Sequence, residues 1–138
     1  MIILAAMLLA AVPDPAPAPT LPAPHERQCV LAVAGEAGGE PFAAQVAVAA
    51  AIQNRACDLR TVYGWRNRLA THATPQTLAT AARAWATAAA AATDPAHGCR
   101  YFGGPEDGPY FRRIHFVPVF RVGHITFYRP QTKNQKRK

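Results

Sequence analysis

Four consecutive residues, Gly38-Gly39-Glu40-Pro41, fix the first architectural decision of this chain. Residues 27–37 before them are helix-permissive, and the glycine pair ends a helix there in the manner of a C-terminal cap. Pro41 opens a second helix at the first-turn position, where its missing N–H costs nothing. Phe42, Val46, Ala49 and Ile52 then recur at three- and four-residue spacing, which predicts one buried face through about Arg55. Residues 56–73 read as irregular. Thr74-Pro75 supplies an N-cap and first turn for a third helix to about Thr93, with Leu78, Ala82, Trp85 and Ala89 as its buried stripe. Asp94-Pro95 and Gly98 end it.

The last third changes character. Residues 114–121 and 124–128 are rich in Val, Ile, Phe and Tyr, with Gly123 between them, and this pattern predicts a β-hairpin. The segment 103–110, GGPEDGPY, reads as turn or loop. Helices first and a small antiparallel sheet last argue for an α+β fold, and 138 residues give room for one compact domain. Alanine supplies an unusually large share of the apolar residues and buries little area per residue. The larger apolar side chains, between Val30 and Leu78 and between Tyr101 and Tyr128, are therefore expected to carry the core.

The two ends differ from this domain, which is expected over residues 25–129. Residues 1–12 are an unbroken apolar run that would span about 18 Å as a helix, too short for a bilayer. It has the length of the apolar region of a signal peptide but lacks the positive residues before it. The expectation is an exported protein with an atypical signal or an anchor segment, the alternative being a misassigned start. Residues 13–24 hold six prolines and read as an extended spacer. The net charge of +7 resides entirely in residues 100–138, where nine Lys/Arg face only Glu106 and Asp107. A basic end favours anionic polymers, among them those of a cell envelope; the simpler reading is a solvated tail. Residues 130–138, PQTKNQKRK, have nothing apolar to bury and are expected to be disordered.

The chemistry concentrates between Cys29 and Arg55. Glu36 falls in the last turn of the first helix, facing unpaired helix carbonyls, an arrangement that raises a carboxyl pKa. Glu40 stands at the start of the next helix, where the opposite end of the dipole stabilises a carboxylate. Two acids in opposed environments suit acid catalysis at a glycosidic bond. The same residues would serve equally as a surface acid and a helix cap.

The stretch also resembles the cell wall hydrolase family typified by the spore cortex-lytic enzyme SleB. The resemblance rests on Cys29-Val30-Leu31-Ala32, Glu36-Ala37, Gly39-Glu40-Pro41, Gln45, Ala47-Val48-Ala49 and Asn54-Arg55. It continues through Thr61-Val62-Tyr63-Gly64, Asp94-Pro95, Gly98, Tyr101-Phe102, Arg121-Val122-Gly123-His124 and Phe127-Tyr128-Arg129. The resemblance implies a lysozyme-like α+β fold and cleavage of the β-1,4 bond between N-acetylmuramic acid and N-acetylglucosamine. It implies Glu36 as the single acid and base: the glutamate protonates the leaving oxygen, then takes the proton of the muramic C6 hydroxyl as an anhydro ring closes. No second carboxylate is required, and none besides Glu40 is placed near Glu36 by the sequence. A catalytically inactive peptidoglycan-binding relative is the first alternative. A small basic nucleic-acid-binding protein ranks well below it, and no specific nucleic acid is expected as a partner.

The chain departs from the family at Trp65-Arg66-Asn67-Arg68-Leu69, at Cys99, and in a short gap between Arg55 and Thr61. These departures leave Glu36 untouched and put the sugar subsites in question. Substrate contacts are expected from Glu40, Gln45, Asn54, Tyr101, His124 and Tyr128, whose polar tips suit sugar hydroxyl and N-acetyl groups. Asn54 would serve equally as a helix cap, and Tyr128 as a core aromatic. Three cysteines, Cys29, Cys57 and Cys99, allow one disulfide in a monomer, with the pairing open. His97, Cys99, His115 and His124 lack the paired close spacing of zinc ligands, so neither a metal nor another cofactor is expected.

Overall fold

The computed structural model describes residues 23–132 except position 63. The apolar run, most of the proline-rich spacer, Tyr63 and the last six residues of the basic tail lie outside the described residues. Among the described residues, no helix is long and apolar enough to cross a membrane.

The fold is α+β. Helix α1 (Arg27–Ala37) ends at the glycine pair, and α2 (Phe42–Gln53) follows the corner. Pro41 is the residue that caps α2, with ψ of 149°, and so stands one position outside the helix it was expected to open. The irregular reading of 56–73 is corrected in part. Gly64–Arg66 forms a 3-10 turn, and Asn67 starts a short α3 (Arg68–Thr71) by accepting the Ala70 N–H on its Oδ1 at 3.0 Å. Helix α4 (Pro75–Ala90) begins as expected, with Thr74 Oγ1 accepting the Thr77 N–H at 3.1 Å. It stops short of Thr93 because Ala91 turns to extended backbone, ψ 133°.

The core departs from expectation. Helix α2 is buried all round from Ala44 to Ile52, while Phe42, assigned to its buried face, is exposed. On α4 the buried residues are Ala81, Ala84, Trp85 and Ala88; Leu78 and Ala82 are half-buried and Ala89 is exposed. Half of the buried core residues among those described are alanines, so the larger side chains do not carry it alone. Small side chains let helix axes approach closely, and α2 packs against α1, α4 and the sheet at once. Gln53 Nε2 adds a bond to the Trp85 carbonyl at 2.9 Å, joining α2 to α4.

Strands β1 (Tyr101–Gly103), β2 (Phe116–Val122) and β3 (Ile125–Pro130) form an antiparallel sheet in the order β1-β3-β2. The hairpin turns through Gly123, at φ of +59°, and His124, and β1 adds a third strand beside β3. Pro118 is exposed on edge strand β2, where its missing donor disturbs no inner ladder, and the register shifts between Pro118 and Phe120. The loop reading of 103–110 is corrected. Pro105 begins a 3-10 turn and Pro109 sits in the first turn of α5 (Gly108–Arg113), positions where proline favours a helix start. Phe111 of α5 stacks on Tyr128 at 4.0 Å between centroids, and Phe120 stacks on Phe127 at 4.5 Å.

Cys29 pairs with Cys57, tying the start of α1 to the chain beyond α2. Closing a loop of 28 residues stabilises the fold by roughly 3–4 kcal/mol in the chain-entropy account. Cys99 stays a buried thiol whose pKa burial pushes up.

Candidate active site

Glu36 leaves the last turn of α1 half-buried, and its Oε1 accepts the backbone N–H of Gly64 at 2.7 Å. Glycine is needed on both sides of this approach. A methyl group at Gly35 would run into the Gly64 carbonyl, and one at Gly64 would run into the Glu36 side chain. Asn67 Nδ2 closes the same contact by donating to the Gly35 carbonyl at 2.8 Å. Asn67 is thereby anchored beside Glu36, through its neighbour Gly35 rather than through the glutamate itself.

Two clefts meet at Glu36. The first, about 440 Å³, is lined by Glu36, Arg55, Thr61 and Val62 on one side of the chain and by Tyr101, Phe102, Tyr110 and Ile114 on the other. The second, about 290 Å³, is lined by Glu36, Glu40, Pro105, Glu106, His124 and Ile125. Phe102, Gly103 and Asp107 border both, as Glu36 does. The first falls within the usual size of a small-ligand site. Tyr110, 51% exposed, and Ile114 present apolar surface at it.

Glu40 does not cap α2. Its Oε2 accepts the His124 N–H at 3.0 Å and its Oε1 lies 3.1 Å from His124 Nδ1, joining the α1–α2 corner to the hairpin turn. The His124 N–H, aided by the imidazole and by Arg121, holds the Glu40 carboxyl below the usual glutamate range, against a smaller opposing effect of burial. The stabilised carboxylate is as the sequence suggests; its main cause is a partner 84 residues away, not the helix end. Gly123 is required here for space as well as for its backbone, since a methyl group would collide with the Glu40 carboxylate.

The other expected contact residues divide. Tyr101 and His124 line the clefts. Gln45 is buried and donates to the Glu40 carbonyl at 3.1 Å, so it braces the corner from inside, while its Oε1 has no partner among the described residues. Asn54 Nδ2 reaches Asp94 Oδ2 at 2.8 Å and the Cys99 carbonyl at 3.1 Å, fastening the loop before β1. Tyr128 is buried under Phe111. Gln45, Asn54 and Tyr128 line neither of these clefts.

Sequence reasoning missed Arg55, Asp107, Glu106 and Tyr110. The expectation that no acid but Glu40 lies near Glu36 is corrected, because the 3-10 turn brings Asp107 to both clefts and Glu106 to one. Asp107 Oδ2 accepts the Gly104 N–H at 2.9 Å, closing its own turn. The Gly-Pro-Glu-Asp-Gly-Pro run carried the signal for such a turn, but nothing in it pointed to the partner surface. Among the described residues, no group of three or more His, Cys, Asp and Glu side chains gathers to hold a metal. Comparison with protein-family models, with curated proteins and with solved structures finds no match for this chain.

Proposed function

We propose that this protein cleaves the glycan strands of peptidoglycan, with Glu36 protonating the glycosidic oxygen. The observation that carries the reading is the position of Glu36 where two clefts meet. An acid that cleaves a polysaccharide must reach an oxygen with a sugar on either side, and a carboxyl at such a junction can do so. Tyr110 offers a face on which a sugar ring can stack. The resemblance of Cys29–Arg129 to the cell wall hydrolases supports the same substrate, and an acid at a helix end beside a small sheet accords with a lysozyme-like arrangement.

In this reading Glu36 gives its proton to the leaving oxygen and then accepts that of the muramic C6 hydroxyl as the anhydro ring closes. Asp107, at both clefts, favours a second reading in which water replaces that hydroxyl. Anhydro and reducing-end products differ in mass, which separates the two. The Cys29–Cys57 bridge supports action outside the cytoplasm. The basic end would hold the enzyme to anionic envelope polymers.

The test is lysis of purified sacculi by wild-type and Glu36→Gln protein, with mass spectrometry of the released muropeptides. The amide keeps the shape but delivers no proton, so turnover should fall by about 10²–10⁴-fold with the fold unchanged. A folded Glu36→Gln protein that clears sacculi at the wild-type rate would overturn the assignment.

A further inference from the structure

Arg55 lies just past α2, beyond its C-cap Asn54, and among the described residues is the cation lining the first cleft, which it shares with Glu36. It is 9% exposed, and burying a guanidinium is costly unless its charge and donors are met. Its Nη2 donates to the Thr61 hydroxyl, a neutral partner, and the group lies over the Tyr101 ring at 5.5 Å from the centroid. Among the described residues no carboxylate comes within ion-pair distance of it. Asp58, close in sequence, feels the Arg55 charge only weakly and from beyond pairing distance, and is itself paired by Arg60 at 2.6 Å; Asp107, across the cleft lining, closes its own turn. A planar fork of donors held by packing, with one neutral partner and a cleft before it, suits a carboxylate supplied by the ligand.

We infer that Arg55 receives a substrate carboxylate, so the preferred substrate is a glycan bearing a free acid group on a sugar beside the bond that Glu36 attacks. This rests on the glycan-cleaving reading. In peptidoglycan that group is the lactyl carboxylate, which is free only where the stem peptide has been removed. Peptide-free strands are then better substrates than peptide-bearing ones.

The probes are peptide-free glycan oligosaccharides with lactyl carboxylates intact, and the same oligosaccharides with those groups reduced to alcohols. Cleavage is measured with the full-length wild-type protein, and binding separately by calorimetry with full-length Glu36→Gln. The intact form should bind and be cleaved about tenfold or more better, the worth of one charge-assisted contact. Arg55→Gln should level the two forms, and Arg55→Lys should restore part of the difference. Equal binding and cleavage of both forms by protein with wild-type Arg55 would overturn the inference while leaving the glycosidase reading intact. Preferential binding that Arg55→Gln levels, with no cleavage of either form, would support Arg55 as the carboxylate receptor and overturn the enzymatic reading. A preference that survives in Arg55→Gln would remove Arg55 from the role. Should that variant fail to fold, Arg55→Lys carries the comparison: a folded Lys variant with the wild-type preference undiminished would remove the Arg55 guanidinium from the role.

Discussion

Helix α2 is enclosed largely by alanines, whereas β3 is enclosed by aromatic rings. Around α2 the buried neighbours include Ala34, Ala37, Ala81, Ala84 and Ala88. Around β3 the rings are the half-buried Phe102 and Phe120 and the buried Phe111, with the buried Phe127 and Tyr128 from β3 itself. The helical region thus gains stability from close backbone approach, and the sheet region from large areas on few residues. The difference also divides the labour at the clefts. The tightly packed region supplies Glu36 and Arg55 to the first cleft, and the aromatic region supplies Tyr101, Phe102 and Tyr110 to its walls.

The largest expected effect tests the aromatic side. Phe127→Ala should destabilise the protein by about 3–5 kcal/mol, since its ring is fully buried and stacked. Ala49→Leu, in the alanine region, should cost about 1–3 kcal/mol through overpacking. Chemical denaturation of both variants checks the pair. A neutral Ala49→Leu would show that the helices have room to spare and would break the contrast.

Tyr110→Ala comes next. Its ring is mostly exposed, so the variant should melt with the wild type and lose about tenfold in kcat/KM, chiefly through KM. On the glycan-cleaving proposal, a change in kcat alone would move Tyr110 from sugar binding to the chemistry.

The smallest effect joins the two regions. Glu40→Gln should cost about 1 kcal/mol, discounted because His124 is largely exposed. The folded Glu40 pKa lies below its unfolded value. Its contribution is therefore complete above the ordinary glutamate range and is lost as pH falls through the depressed value. Melting temperatures of wild type and variant should differ near neutrality and converge in acid. A constant gap at all pH values would mean that lost packing, not charge, separates them.

Sequence alone made the helix limits legible where punctuation was local. Gly38-Gly39 ended α1 and Thr74 began α4 because a cap needs only its own neighbours. The phase of the buried stripes was not legible, because alanine occupies exposed and buried faces of α4 alike, so Ala82 and Ala89 could not be told from Ala81 and Ala88. Helix α5 was hidden because prolines that begin a helix also mark loops. At the site, Glu36 was visible from its helix-end position. The His124 partner of Glu40 and the arrival of Asp107 depend on chain crossings that no local pattern encodes.

The Cys29–Cys57 bridge encloses the α1–α2 corner and the whole of α2, and with them Glu36, Glu40 and Arg55. Gly39, at the tip of that corner, is exposed and is the kind of site that a protease meets first. A single cut there would leave two fragments still joined through sulfur, with α1 and α2 packed against each other and against α4. Such a nicked molecule can keep its acid and its cation in place, so its working life in a protease-rich medium would outlast the integrity of its backbone.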